Sequence, residues 1–233
     1  MSTVDRDTEK IPLRPPRPDD ESHLSPPWEM DESLLFPPRK ISATAKGFLP
    51  VAHQQLADPA ERAPIAWAVG AHGGAGASTL ASVVAPMADA GGQWPAYDQH
   101  RYCVVVCRST WTGLDAAHSA VLQSQAGDTG GCEVLGVVII ADAPGRTPKP
   151  LVQREKVLED LTHVWRVPYL PDFRVTAPDK LAVWTPAATT DHERKRGLRK
   201  APATDEVAAA IAELGHEIFQ AAFAAHTKNE KDS

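Results

Sequence analysis

The sequence predicts an α/β fold in which a small parallel β-sheet is covered by helices on both faces. Two apolar runs rich in β-branched residues, at positions 103–107 and 134–140, lack the polar alternation of half-exposed strands. Segments with a helical spacing of apolar residues separate these runs. A glycine-rich turn at residues 70–76 joins an apolar run to a helical segment, and this arrangement is typical of three-layer α/β domains.

The glycine-rich turn is the first candidate site. Residues 64–69 predict the first strand, and residues 77–90 predict a helix that Pro86 should bend or end early and that Gly91 and Gly92 close. Backbone N–H groups in a turn before a helix N-terminus form a nest for anions. The predicted phosphate- or anion-binding residues are His72, Gly73, Gly74, Ala75, Gly76, Ala77, Ser78 and Thr79.

The other elements follow in alternation, with the runs at 103–107 and 134–140 as strands. Helices are expected between and after these strands, because a parallel pair needs a crossover. The predicted elements are a helix over residues 113–124 capped by Thr110 or Thr112, a helix that follows Pro148 and Pro150 and ends near Leu161, and a strand over residues 164–167.

Three side chains are predicted at the rim of the site, because the loops after parallel strands meet at one edge of the sheet. These side chains are Arg108, Asp142 and Arg146. Asp142 fits a turn or capping role, a ligand contact or a magnesium switch. His72 fits hydrogen bonding within the loop, an anion contact or catalysis.

Residues 1–60 are predicted to form a disordered, proline-rich tail, because they combine many prolines with charges and few apolar residues. One island within the tail is apolar, with Trp28 followed by Leu34, Leu35 and Phe36. Three interpretations fit this island: it folds back on the domain, it binds a protein partner, or it is idle.

The chain beyond the α/β domain, which is predicted over residues 61–170, has three parts. Residues 171–203 are expected to form an irregular linker, residues 204–227 a helix capped by Thr204, and residues 228–233 a frayed tail. Apolar residues of the helix predict packing on the sheet or on a second subunit; they are Val207, Ile211, Leu214 and Ile218. The linker carries a basic run that fits a solvated loop or a contact with an anion or nucleic acid, with Arg194, Lys195, Arg196, Arg199 and Lys200.

The composition favours a cytoplasmic protein without a membrane span. The net charge of −6 argues against broad nonspecific binding of nucleic acid. Cys103 and Cys107 would lie about 13 Å apart in one strand, too far to bridge, and Cys132 is expected to be solitary. We expect buried, reduced thiols and no metal site. No apolar run approaches the ~20 residues that cross a bilayer.

The order of elements and residues 72–79 resemble the ParA/MinD-like P-loop ATPases, whose loop reads Lys-Gly-Gly-x-Gly-Lys-Thr-Thr. Residues 134–138 resemble a late strand of that family, and residues 167–169 resemble the segment that leads to the nucleotide base. The resemblance covers residues 64–170 and the last helix. Residues 70–76, 141–146 and 164–168 are still closer to a family of uncharacterised actinobacterial P-loop-like proteins, which implies no activity.

The resemblance also identifies departures from that family. Ala77 stands at the lysine that holds the β- and γ-phosphates, and His72 stands at the lysine that reaches across the dimer. Ser78 keeps the hydroxyl that would hold magnesium. Residues 91–102 are too few for the acidic strand after the first helix, and Asp98 is the nearest carboxylate. Phosphoryl transfer depends on these groups, so the resemblance implies a degenerate site.

The expected function is therefore a non-catalytic or very weakly active regulatory or partner-binding module, in which nucleotide binding is optional. The alternatives are a weak ATPase that borrows a cation such as Lys149 or Arg146, and a DNA-associated factor that uses the basic run. ATP or ADP with Mg²⁺ is the expected cofactor only if a nucleotide binds, with Ser78 as the metal ligand. A protein partner is expected through Trp28 and residues 34–36, and the resemblance allows a homodimer.

Overall fold

A parallel β-sheet of five strands forms the centre of the computed structural model, which describes residues 48–56, 62–96, 100–187 and 202–232. This arrangement confirms the predicted α/β class. The strands are β1 (Ala66–Gly70), β2 (Met87–Gly91), β3 (Tyr102–Arg108), β4 (Glu133–Ile140) and β5 (Val164–Val167), in the order β2-β1-β3-β4-β5. The helices are α1 (Ala77–Val83), α2 (Trp111–Gln125), α3 (Lys149–Glu159), α4 (Asp172–Val175) and α5 (Ala209–Asp232), with a 3₁₀ helix at Pro178–Lys180.

Each face of the sheet carries its own apolar core. Val104 and Val106 of β3 enter the core beneath α1 and α5, whereas Val105 and Cys107 enter the core beneath α2 and α3. Side chains of a strand alternate between the two faces, so a continuous apolar run fits a strand that is covered on both sides. Thr110 caps α2, since its hydroxyl accepts a hydrogen bond from the N–H of Gly113 at 3.1 Å.

The helix predicted over residues 77–90 is wrong in its second half. The helix α1 ends at Val83, and β2 pairs with β1 in the register Ala66↔Met87. Pro86 ends the helix early, because it lacks an N–H and disfavours helical backbone before it. A strand therefore does follow the first helix, against our expectation. It carries Asp89, whose carboxylate accepts a hydrogen bond from the N–H of Gly91 at 2.8 Å.

The boundary predicted at residue 60 is also too late. Residues 48–56 pack on the domain, and the backbone of Ala52 bonds to that of Trp94 at 2.8 Å. The buried amide of Gln123 accepts from the N–H of Leu49 and donates to the carbonyl of Leu49, both at 2.8 Å. The rest of the predicted tail up to residue 47 lies outside the described residues, as do Trp28, Leu34 to Phe36, Asp98 and the basic run from Arg194 to Lys200.

The helix α5 begins later and ends later than predicted. Thr204 donates its hydroxyl to Asp205 rather than capping a helix, and α5 starts at Ala209. Ile211, Leu214 and Ile218 are buried in the core, as the apolar stripe predicts. The frayed tail predicted from residue 228 is helical up to Asp232, because Asn229 donates to the hydroxyl of Tyr102 at 3.0 Å and to Glu133 at 3.1 Å.

The three thiols are free and buried. Cys132 is not solitary, since a hydrogen bond with Cys103 lowers its pKa. Burial, and then Cys132, raise the pKa of Cys103. Burial raises the pKa of Cys107 to about 12, with a smaller contribution from Glu155. No helix within the described ranges is long and apolar enough to span a membrane.

The raised pKa of Cys107 predicts a loss of stability in alkali. Its pKa is about 12 in the folded protein against an ordinary 9.0, so the stabilisation is complete below pH 9 and is lost as pH rises toward 12. Between these limits, we expect the free energy of unfolding to fall more for the wild type than for Cys107→Ala, by up to roughly 4 kcal/mol. Denaturant titrations at each pH measure this, and comparing the two proteins cancels the titration of shared lysines and tyrosines. Free energies of unfolding that fall equally with pH in the two proteins would contradict the prediction.

The docking of α5 provides a second prediction. Gly215 faces Trp184, and a Cβ at Gly215 would stand 2.5 Å from Cε3 of the buried indole. An exposed helical glycine gains about 1 kcal/mol on replacement by alanine. We expect Gly215→Ala to lose roughly 1–3 kcal/mol instead, because the ring cannot move aside without repacking. Denaturant unfolding measures the change, and Ala224→Gly on the exposed face of α5 calibrates the propensity effect. A stabilised Gly215→Ala would show that the contact is absent.

Candidate functional site

A cavity of about 590 Å³ opens at the carboxyl ends of the strands. The chain leaves β1 toward α1 on one face of the sheet and leaves β3 toward α2 on the other. Because β1 and β3 are neighbours, these two departures leave a crevice between them. The glycine turn lies on one side of the cavity, and residues 167–174 lie on another.

The glycine turn is held in a conformation that two glycines make accessible. Gly74 has φ 76° and Gly76 has φ 99°, in the left-handed region where a Cβ is penalised. A Cβ at Gly76 would also meet Cδ1 of Ile140 at 2.8 Å. Gly73 has neither constraint, since a Cβ there would meet nothing within 4 Å.

His72 ties the glycine turn to the end of β3. Its Nε2 accepts a hydrogen bond from the backbone N–H of Arg108 at 3.1 Å. Its Nδ1 lies 2.9 Å from the carbonyl oxygen of Gly73 and must therefore donate. Both bonds together require the neutral ring with its proton on Nδ1. The geometry favours the loop-bonding interpretation of His72, and the same side chain lines the cavity.

Arg108 places a positive charge in the cavity. Its Nε donates to the carbonyl of Gly74 at 3.3 Å, and its Nη1 lies 3.5 Å from the carbonyl of Ala141. The residue is half-buried, and no carboxylate of the described residues forms an ion pair with it. A guanidinium has five N–H donors, so several remain for an anion.

The opposite wall comes from the end of the predicted domain, at residues 167–170, and from the start of the segment predicted as an irregular linker. Tyr169, Phe173 and Arg174 line the cavity. Nη1 of Arg174 donates to the hydroxyl of Tyr169 at 3.4 Å, and this contact, together with the charge of Asp142, raises the pKa of Arg174. Tyr169 was indicated only through the resemblance. Phe173 and Arg174 were missed because α4 has four residues, too few for a helical period; Pro171 and Asp172 were the available signal.

Residues 64–187, more than half of the chain, match the family of unknown function DUF6668. The protein belongs to this family. No curated protein and no solved structure matches the chain. The matched DUF6668 region runs from the start of β1 past α4, and it contains the residues that line the cavity except Ile211 of α5.

Some of the predicted site residues of this DUF6668 protein line the cavity, and the others lie outside its lining. His72, Gly73, Gly74, Gly76, Thr79, Arg108 and Asp142 line the cavity. Ala75 and Ala77 are buried, and Ala77 packs in the core beneath α1. Ser78 and Arg146 are exposed and lie outside the lining. The N–H of Asp142 donates to the hydroxyl of Ser109 at 3.0 Å, as a turn role requires, and the residue also lines the cavity.

The donor set of the cavity does not resemble a metal centre. Within the part of the chain that the structure describes, no three His, Cys, Asp or Glu side chains lie close enough together to hold a metal ion. The lining of the cavity includes one carboxylate, that of Asp142, and two guanidinium groups. The site is therefore suited to a group of negative charge.

The packing at Gly113 predicts how the site is held together. A Cβ there would stand 2.4 Å from the carbonyl oxygen of Arg108 and 2.9 Å from Nε2 of His72. We expect Gly113→Ala to destabilise this DUF6668 domain by roughly 1–3 kcal/mol, although alanine favours helix by about 1 kcal/mol. Denaturant unfolding measures this, and Gly73→Ala is the control, which should leave stability unchanged within about 0.5 kcal/mol. Equal free energies of unfolding for Gly113→Ala and Gly73→Ala would show that the close packing at Gly113 is absent.

Proposed function

We propose that this protein is a non-catalytic or very weakly active P-loop-fold protein of the ParA/MinD-like type. It acts as a regulatory or partner-binding module whose cavity binds an anionic small molecule such as a nucleotide. The observation that carries the proposal is Arg108, a half-buried cation beside the glycine turn with carbonyl partners but no ion-pair partner among the described residues. A half-buried guanidinium without an ion-pair partner favours the binding of an anion.

The walls of the cavity support a ligand with both polar and apolar parts. The glycine turn, Arg108 and Arg174 provide the polar part. Leu80, Ile140 and Phe173 provide an apolar wall. Small-molecule sites in proteins have this mixed character and occur at the strand ends of open parallel sheets.

The positions of Ala77 and Ser78 support the absence of efficient phosphoryl transfer. Ala77 supplies no charge and packs in the core, and Ser78 lies outside the lining. Asp89 of β2 also lies outside it and accepts a hydrogen bond from its own strand. The alternative of a weak ATPase needs a borrowed cation, and Arg146 and Lys149 do not line the cavity. The reaction depends on a metal, a cation and a positioned water acting together.

We infer that α4 links the ligand to the partner. Phe173 and Arg174 line the cavity, and the next residue, Val175, exposes 84% of its surface. In this proposal, a ligand contacts the helix that carries Val175, and the partner contacts Val175 on its exposed side.

The proposal predicts binding without turnover. We expect a nucleotide to raise the melting temperature of the full chain, because a ligand that binds only the folded state stabilises it. We expect ATP hydrolysis far below the ordinary enzymatic range of ~1 per second. Thermal melts and a steady-state phosphate-release assay, each with and without Mg²⁺, provide the measurements.

Two outcomes would contradict this prediction. Turnover near ~1 per second that is lost in Ser78→Ala would establish an ATPase. The absence of a thermal shift with every nucleotide tested and with inorganic phosphate would remove the ligand from the proposal. Lys149→Gln serves as a control, since it changes a charge outside the cavity.

A further inference from the structure

The two cations of the cavity differ in their side-chain partners. Arg174 donates to the hydroxyl of Tyr169 at 3.4 Å, and Asp142 is the one carboxylate in the lining of the cavity. Arg108 has only the carbonyl oxygens of Gly74 and Ala141 as side-chain partners among the described residues, at 3.3 and 3.5 Å. One carboxylate and two guanidinium groups in the lining leave one positive charge in excess, and Arg108, held only by carbonyl oxygens, is placed to meet one anionic group.

A polyphosphate fits this charge distribution poorly. Its further phosphates would lie among the carboxylate of Asp142 and the carbonyl oxygens that Arg108 contacts, and unpaired charges are costly to desolvate. A bound Mg²⁺ would offset the charge of the further phosphates only if the cavity supplied ligands for the metal. Ser78, the hydroxyl that the resemblance assigns to magnesium, lies outside the lining. One phosphate matches the single unbalanced cation better than three.

The rest of the cavity offers space and apolar contact for a ring. Leu80, Ile140, Leu170, Phe173 and Ile211 line it, and all belong to or pack against one core. Burial of a ring against these side chains gains from the hydrophobic effect. The volume of about 590 Å³ lies within the range of roughly 300–1,000 Å³ that holds small ligands.

From this arrangement we propose that the cavity selects a nucleoside monophosphate. Arg108 holds the phosphate without a divalent metal, and the base packs against the apolar wall. This inference rests on the proposed function, since it names the ligand class of the same cavity. It reverses the order of affinity expected of a nucleotide-hydrolysing P-loop site, where the triphosphate with Mg²⁺ is the ligand.

Calorimetric titration of the full chain tests the order of affinity directly. The probes are AMP, GMP, ADP, ATP, adenosine and inorganic phosphate, each with Mg²⁺ and with EDTA. We expect one of the monophosphates to bind at least ten-fold more tightly than ATP. EDTA should not change its affinity, and adenosine and phosphate should each bind at least ten-fold more weakly than the monophosphate.

Substitutions of the arginine assign the phosphate contact. Arg108→Gln should weaken the monophosphate at least ten-fold and leave adenosine unchanged, because it removes the charge from the cavity. Arg108→Lys keeps the charge and should recover part of the loss. Arg146→Gln is the matched control, since Arg146 lies outside the lining and its loss should leave every affinity unchanged.

The outcomes separate the inference from the proposed function. Tighter binding of ATP with Mg²⁺ than of AMP and GMP would overturn the inference and leave the proposed function standing. No binding of any probe to the folded wild type would overturn both. If Arg108→Gln does not fold, competition between AMP and ATP for the wild-type protein still decides the order of affinity. An unchanged monophosphate affinity in a folded Arg108→Gln would also overturn the inference.

Discussion

The hydrogen bond from the backbone N–H of Arg108 to Nε2 of His72 is the interaction on which the site depends. It joins the turn after β1 to the end of β3, two strands whose chains leave on opposite faces of the sheet. The bond forms because Gly113, at the start of α2, has no Cβ where the ring of His72 and the carbonyl of Arg108 approach. The cavity is thus bounded by backbone geometry at the strand ends, where ligands of open parallel sheets bind.

Four of the five strands, including the edge strand β5, could be predicted from the sequence, whereas the other edge strand, β2, could not. Short apolar runs identify β3 and β4, because their length and their β-branched residues favour strands that are covered on both faces. The residues of β2 are ambiguous: Met87 continues the helical spacing of Leu80 and Val83, and it enters the same core from a strand. Pairing with β1 decides the structure of this segment, and such pairing is tertiary information.

The candidate site, too, could be predicted only in part from the sequence. The glycine turn, Arg108 and Asp142 were predicted, because each follows an apolar run that identifies a strand. The orientations of Ala77 and Ser78 were not, since a helix of seven residues does not fix which of its first side chains faces the cavity. Phe173 and Arg174 reach the cavity through the return of the chain after β5. No periodicity in the sequence records that return.

The cavity is continuous with one of the two cores, and this continuity links ligand binding to stability. Leu80, Val167 and Ile211 belong to the core beneath α1 and α5, and each also lines the cavity. A ligand on the apolar wall therefore extends the packing that holds α5 on the sheet. Since α5 continues from Ile211 to the contact of Asn229 with Tyr102, the first residue of β3, it runs from the cavity to the amino end of the central strand. If the proposed ligand binds there, its binding and the attachment of α5 would stabilise each other, because linkage is reciprocal.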